Sequence, residues 1–127
     1  NILLAVLEKK CNIRLSQKDV FINVVGGMDV KETSSDLGVA MSIVSSDKEQ
    51  PIPPDSIMVG EVGLAGEIRS VPKIEMIIKE AKKNGFKKCY LSEKSKEETK
   101  EMANEIELIY IKTLKEAIEK IFKEDNS

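Results

Sequence analysis

Apolar residues recur along the chain at two periods, and the switch between them lays out the elements. Leu3, Leu4, Leu7 and Cys11 share one face at helical spacing, which predicts a helix over residues 2–11. Val20-Phe21-Ile22-Asn23-Val24-Val25 is β-branched and aromatic and stops at Gly26-Gly27. That pattern predicts a mostly buried strand, with Met28 to Lys31 continuing it past a bend that the glycines allow. Ser34-Ser35 offer caps for a second helix, with Leu37, Ala40, Met41 and Val44 on one face and Val39 and Ile43 on its flank. A helix apolar around so much of its girth is expected between layers. Pro51, Pro53 and Pro54 end this region in a rigid loop.

Beyond the prolines, Ile57-Met58-Val59-Gly60-Glu61-Val62 reads as a strand, Gly63-Leu64-Ala65-Gly66 as a turn and Glu67-Ile68-Arg69 as the return, together a hairpin. Pro72 suits the first turn of a helix whose inner face is Ile74, Ile77, Ile78 and Ala81 and whose end is Asn84-Gly85. Phe86 to Leu91 is a predicted strand, Ser95 to Asn104 a polar helix and Ile106 to Ile111 the last strand. Leu114, Ala117, Ile118, Ile121 and Phe122 repeat at i, i+3, i+4, i+7, i+8 and predict a final amphipathic helix before a frayed tail at 124–127. Strands and helices interleave, with an antiparallel hairpin among them. The expected fold is a layered α/β (α+β) sandwich with a mixed sheet, in one domain over 1–127.

Composition narrows the chemistry. The chain has 127 residues and a net charge of −2, so bulk charge gives it no affinity for nucleic acid. Histidine and tryptophan are absent and aromatics are 4%, which excludes Ser-His-Asp and Cys-His catalysis, His-metal sites and base-stacking platforms. Cys11 and Cys89 stand far apart and read as free thiols in a reducing compartment. The longest apolar run, Ile2 to Leu7, is far short of a membrane span, and no signal peptide is visible. Asn1 is not a natural start, so a piece of a longer chain is expected.

Charge is unevenly spread. Residues 73–100 carry nine lysines against five acidic residues, net +4, whereas residues 1–72 and 101–127 are each net −3. Lys79, Lys82, Lys83, Lys87 and Lys88 form the densest cluster. The ordinary reading is a solvated helix face with Glu80 interspersed; the sharper one is a phosphate-contacting patch, with Arg69 and Lys73 as outlying members. No phosphate-cradling glycine loop is present, and Gly60, Gly63 and Gly66 punctuate a hairpin rather than open a helix. No carboxylate pair is forced together by spacing. Asp36 and Glu75 near helix starts are accounted for by the helix dipole.

Four stretches carry a family resemblance. They are Leu3 to Lys9, Asp19 to Gly27, Asp36-Leu37 through Ser45-Ser46, and Gly60 to Pro72. The strings Asp-Val-Phe-x-Asn-Val-x-Gly-Gly and Gly-Glu-Val-Gly-Leu-x-Gly-Glu-Ile-Arg are specific, and over residues 1–91 the chain resembles the C-terminal domain of the RadA (Sms) family of bacterial DNA-repair proteins. That domain is similar, more remotely, to the proteolytic domain of Lon. The resemblance implies the ribosomal protein S5 domain 2-like fold. It also implies a comparison with Lon's serine–lysine dyad, in which a serine attacks the peptide carbonyl and a lysine takes its proton. Lon's serine lies in Gly-Pro-Ser-Ala-Gly. The matching stretch here is Ser34-Ser35-Asp36-Leu37-Gly38, with Asp36 in the serine's place, and Glu75 stands where Lon has its lysine. Carboxylates at both positions cannot repeat that chemistry. A dyad shifted onto Ser34 or Ser35 with Lys73 would be misplaced, which is costly.

The resemblance therefore implies a protease fold kept as a non-catalytic scaffold, supporting a hexameric ring and contacting DNA in homologous recombination alongside a RecA-type recombinase, in the cytoplasm. The alternatives are an active or vestigial Ser/Lys peptidase, or a substrate or ligand module of a Lon-like protein. The family's zinc-binding segment and RecA-like ATPase have no counterpart in these residues. ATP, magnesium and zinc are expected there, and no cofactor here.

Overall fold

Phe21, Val24 and Val25 are buried whereas Ile22 and Asn23 are exposed, and this i, i+3, i+4 pattern belongs to a helix, α1, Gln17–Val25. The computed structural model describes residues 17–122; the helix expected over 2–11, Cys11 and the tail at 124–127 lie outside the described residues. The strand expected over Val20–Val25 is thus replaced by a helix. β-branched residues favour a strand only where a pleated, half-buried surface is available to them. Here the segment is covered instead by a sheet strand and two helices, and it needs a single buried stripe. Met28 to Lys31 adopt no regular structure.

A 3-10 turn at Glu32–Ser35 leads into α2, Asp36–Lys48. Its inner face is narrower than its apolar content predicts. Leu37 and Met41 are fully buried beside Ser42, Ser45 and Ser46, while Ile43 is 43% exposed. The serines find backbone partners or neighbours close by: the Gln17 N–H donates to Ser42 Oγ at 3.0 Å, and Ser45 Oγ donates to the Gln50 carbonyl. A hydroxyl so satisfied packs inward at little penalty, which leaves Ile43 to face outward.

The predicted Ile57–Val62 strand divides at Gly60 into β1, Ser56–Val59, and β2, Glu61–Val62. β2 pairs antiparallel with β3, Ile68–Arg69. α3 follows at Ile74–Lys83, then β4 at Lys88–Ser92 and β5 at Glu107–Ile111, with α5 at Leu114–Ile121 closing the described chain. The polar helix expected over Ser95–Asn104 survives as a four-residue α4, Lys96–Thr99, between 3-10 turns. The strands form two ladders instead of one mixed sheet. β1-β4-β5 is wholly parallel, and β2-β3 is a separate antiparallel pair, tied to the chain just past β5 by an antiparallel bridge between Glu67 and Thr113.

Alternation along the parallel strands sorts the core into two halves. Ile57, Val59, Cys89 and Leu91 face α1, α3, Met102 and Ile106. Met58, Tyr90 and Ile111 face α2, Ile68 and α5. The result is a layered α/β sandwich with helices on both faces of the sheet. Cys89 is a free, fully buried thiol, and burial pushes it up to about 12, out of the reactive range.

Candidate functional site

The start of α2 is lashed to the break between β1 and β2. The Gly60 N–H donates to the Ser34 carbonyl and the Leu37 N–H donates to the Gly60 carbonyl, each at 2.9 Å. Asp36, the first residue of α2, completes the knot: its Oδ2 accepts the Val62 N–H at 3.2 Å. The carboxylate sits where the helix dipole favours negative charge, and its free lone pairs satisfy a strand donor. This is a bracing role for the residue that the sequence comparison set against the serine of the Lon motif.

An open groove of about 510 Å³ runs beside this knot, between α1, α2 and β2. Val39, Ala40, Ile43 and Val62 line it, with Lys18, Glu32, Thr33, Ser35 and Asp36 at its polar end. Ser35 Oγ donates to the Glu32 carbonyl at 3.0 Å, and Lys18 Nζ lies 4.0 Å from Glu32 Oε1. Ser34 is fully buried, and its hydroxyl has no partner. Glu75 and Lys73 do not line the groove. Glu75 is exposed in the first turn of α3. Lys73 caps α3 with φ of 61° and donates from Nζ to the Asp29 carbonyl at 2.7 Å. The two acidic positions that the Lon comparison singled out therefore lie in separate surroundings. Among the described residues no group of three or more His, Cys, Asp or Glu is placed to hold a metal.

The seven basic candidates fall into four places. Lys79, Lys82 and Lys83 are exposed on the outer side of α3, opposite Ile74, Ile77, Ile78 and Ala81. Lys87 precedes β4 and the half-buried Lys88 begins it; both N–H groups donate to the Asp55 carbonyl, and Lys88 lies opposite Glu107. Arg69 sits on β3 and donates to Glu67 Oε2 at 3.0 Å. Lys73 is held at the α3 N-terminus as described.

The spacing of the α3 lysines is visible in the sequence; their acidic partner is not. Lys82 Nζ reaches Glu105 Oε1 at 2.7 Å, and Lys82 first, then the nearby Lys79, hold that carboxyl below its usual range. Glu105 arrives from the turn before β5, far along the chain, and no local pattern could have announced it. Lys82 and Lys83 also occupy the last turn of α3, where cations suit the helix dipole.

Residues 3–95 match the family described as subunit ChlI of Mg-chelatase, well over half of the chain. The chain belongs to the ChlI family. Curated relatives of this ChlI-family chain carry the name DNA repair protein RadA. That of Aquifex aeolicus is 46% identical over 121 residues, covering 95% of this chain and 26% of its own length. That of Salmonella typhimurium is 52% identical over 88 residues, covering 69% and 19%. That of Streptococcus pneumoniae is 39% identical over 122 residues, covering 96% and 29%. The RadA resemblance carried by the sequence strings is thereby borne out, and the ChlI-family chain spans about a quarter of the length of the RadA proteins it matches. No described helix of the ChlI-family chain is long and apolar enough to cross a membrane.

Proposed function

We propose that the chain is a non-catalytic scaffold segment of a RadA-type DNA repair and recombination protein, with a Lon-like fold of the S5 domain 2 type, supporting self-assembly into a hexameric ring and contributing to DNA contact in the cytoplasm. Asp36 carries the reading. Its carboxylate, matched by the resemblance to the nucleophile position of the Lon motif, accepts the Val62 N–H and braces β2 against α2. A carboxylate is a poor nucleophile toward an amide, and removing this one would free a strand donor rather than stop a reaction. The relatives' name supplies the DNA-repair context. ATP, magnesium, zinc and a RecA-type recombinase belong, on this reading, to the parts of the relatives beyond the matched segment.

A Ser/Lys peptidase is the second reading, favoured by Ser35 and Lys18 on one groove. Against it, the Ser35 hydroxyl is turned to the Glu32 carbonyl and Lys18 is drawn to the Glu32 carboxylate, so neither is aimed at the other. The test is incubation with unfolded protein and with a serine-reactive phosphonate. The expected outcome is neither turnover nor a covalent adduct. Labelling of Ser34 or Ser35 would overturn the scaffold reading in favour of the peptidase.

A further inference from the structure

Glu105 and Lys82 form the shortest ion pair among the described residues, 2.7 Å from Oε1 to Nζ, between places 23 positions apart in the chain. The carboxylate is delivered on fixed backbone. The Glu105 N–H donates to the Met102 carbonyl at 3.0 Å, Met102 and Ile106 are sunk in the core on either side, and the Glu107 N–H donates to the Lys87 carbonyl at 3.0 Å. The ammonium comes from the last turn of α3, where Asn84 Nδ2 donates to the Glu80 carbonyl at 2.7 Å. Both charged side chains remain about half exposed, so an anion from solvent can reach the same ammonium.

Of the five clustered lysines only Lys82 is engaged in this way. Lys79, Lys83, Lys87 and Lys88 form no ion pair among the described residues. A charge-assisted contact of about 2.7–2.9 Å is also what an ammonium makes with a phosphate oxygen. The Glu105 carboxylate thus matches a phosphodiester in charge and in reach, and it is already in place.

We propose that Glu105 is a built-in competitor for nucleic-acid phosphate at this patch: its carboxylate occupies the Lys82 ammonium until a phosphodiester displaces it. The competitor role rests on the DNA contact proposed above and specifies how that contact is restrained. Displacement costs little, because an exposed ion pair is weak in water. Glu105 then turns to solvent and takes up a counterion. A contact through Lys82 therefore exchanges one anion for another and releases fewer counterions than a contact through an unpaired lysine. A lone anion must out-compete a tethered carboxylate. A duplex already held by Lys79 and Lys83 presents its next phosphate just as locally. The patch on this account favours a continuous phosphodiester backbone over a single phosphate.

Fluorescence anisotropy with a duplex at several salt concentrations, on the full 127-residue chain, tests it. Glu105→Gln keeps the size of the side chain and an acceptor oxygen, and removes the charge. It should tighten duplex binding roughly two- to fivefold, the range set by the usual strength of an exposed ion pair. It should also steepen the slope of log affinity against log salt by up to about 0.9. In a Lys82→Gln background the same substitution should change neither. Glu101→Gln removes an exposed carboxylate that forms no ion pair among the described residues, and serves as the control for overall charge. Binding that Glu105→Gln leaves unchanged, while Lys82→Glu/Lys83→Glu weakens it, overturns the competitor role and keeps the DNA contact. A gain that persists without Lys82, or that Glu101→Gln matches, is charge acting at a distance and overturns the role as well. No binding at low salt by the chain or by Glu105→Gln overturns the DNA contact itself, and the competitor role with it.

Discussion

Gly60 shows how much one position can carry. Its N–H and carbonyl both serve the start of α2, and a Cβ built on it would stand 2.8 Å from Ile68 Cγ2 and 3.6 Å from Leu37 Cβ. Both neighbours are buried to within 1% of full enclosure, so neither can swing into solvent. Gly60→Ala is therefore an overpacking substitution, and it should lower stability by roughly 1–3 kcal/mol. Chemical denaturation reads this as a lower midpoint at unchanged slope. A midpoint equal to the wild type would mean that β3 shifts to accept the methyl group. The sequence discloses Gly60 as a glycine punctuating a hairpin and Asp36 as a residue near a helix start. It does not disclose that the two belong to one knot, because the bonds that tie it, from Gly60 to Ser34 and Leu37 and from the Val62 N–H to Asp36, join segments far apart in the chain.

Among the elements, legibility follows how far each is set by its own residues. α3 and α5 bury one clean apolar stripe, and their periodicity is enough to place them within a few residues of the observed ends. The end of α3 is equally local. Asn84-Gly85 forms a Schellman cap, with the Phe86 N–H donating to the Ala81 carbonyl and the Gly85 N–H to the Lys82 carbonyl, each at 3.0 Å. Gly85 has φ of +89°, so Gly85→Ala should cost about 1–2 kcal/mol and fray the last turn. Amide exchange at Asn84 and Phe86 would report the fraying, and protection unchanged from the wild type would contradict it. α1 was illegible for the opposite reason. Its six-residue segment Val20–Val25, apolar at all but Asn23, satisfies strand and helix templates alike, and only its packing against β1, α2 and α3 decides between them. The segment from Glu93 to Asn104 has too few apolar residues to sustain a long helix. It is pinned instead by Thr99 Oγ1, which donates to the Ser95 carbonyl at 2.7 Å and meets the Tyr90-neighbouring strand through Tyr110 Oη at 2.8 Å.

For the whole molecule the charge map matters more than any single lysine. The only net-positive stretch becomes the outer side of α3 and the start of β4, with Glu105, Asp55 and Glu107 set among its cations. The sequence makes the patch legible as a local excess of lysine, and hides the acidic groups that the fold brings back to it. DNA contact by this face should thus be weak, independent of sequence and strongly salt-sensitive, with each phosphate neutralised adding about 0.9 to the slope of log affinity against log salt. Fluorescence anisotropy with unrelated duplexes should show the affinity falling in Lys82→Glu/Lys83→Glu, and a shallower slope. An unchanged affinity in that variant would move the DNA contact to another face.

The β2–β3 hairpin is complete in sequence by Arg69, but its fastenings come much later in the chain. The Ile68 N–H is bound by the Lys112 carbonyl, the Gly66 carbonyl by the Leu114 N–H, and the Ile68 carbonyl by Ser92 Oγ. During synthesis the hairpin leaves the ribosome well before β5 and α5 exist to hold it. Until then the Ile68 N–H lacks its Lys112 partner and the hairpin has only its own β2–β3 pairing and local turn bonds to hold it. Such late-closing contacts make the emerging intermediate the stage most open to chaperones or to mispairing. Residues made well after the hairpin, Lys112 and Leu114 among them, are therefore the ones that fasten it.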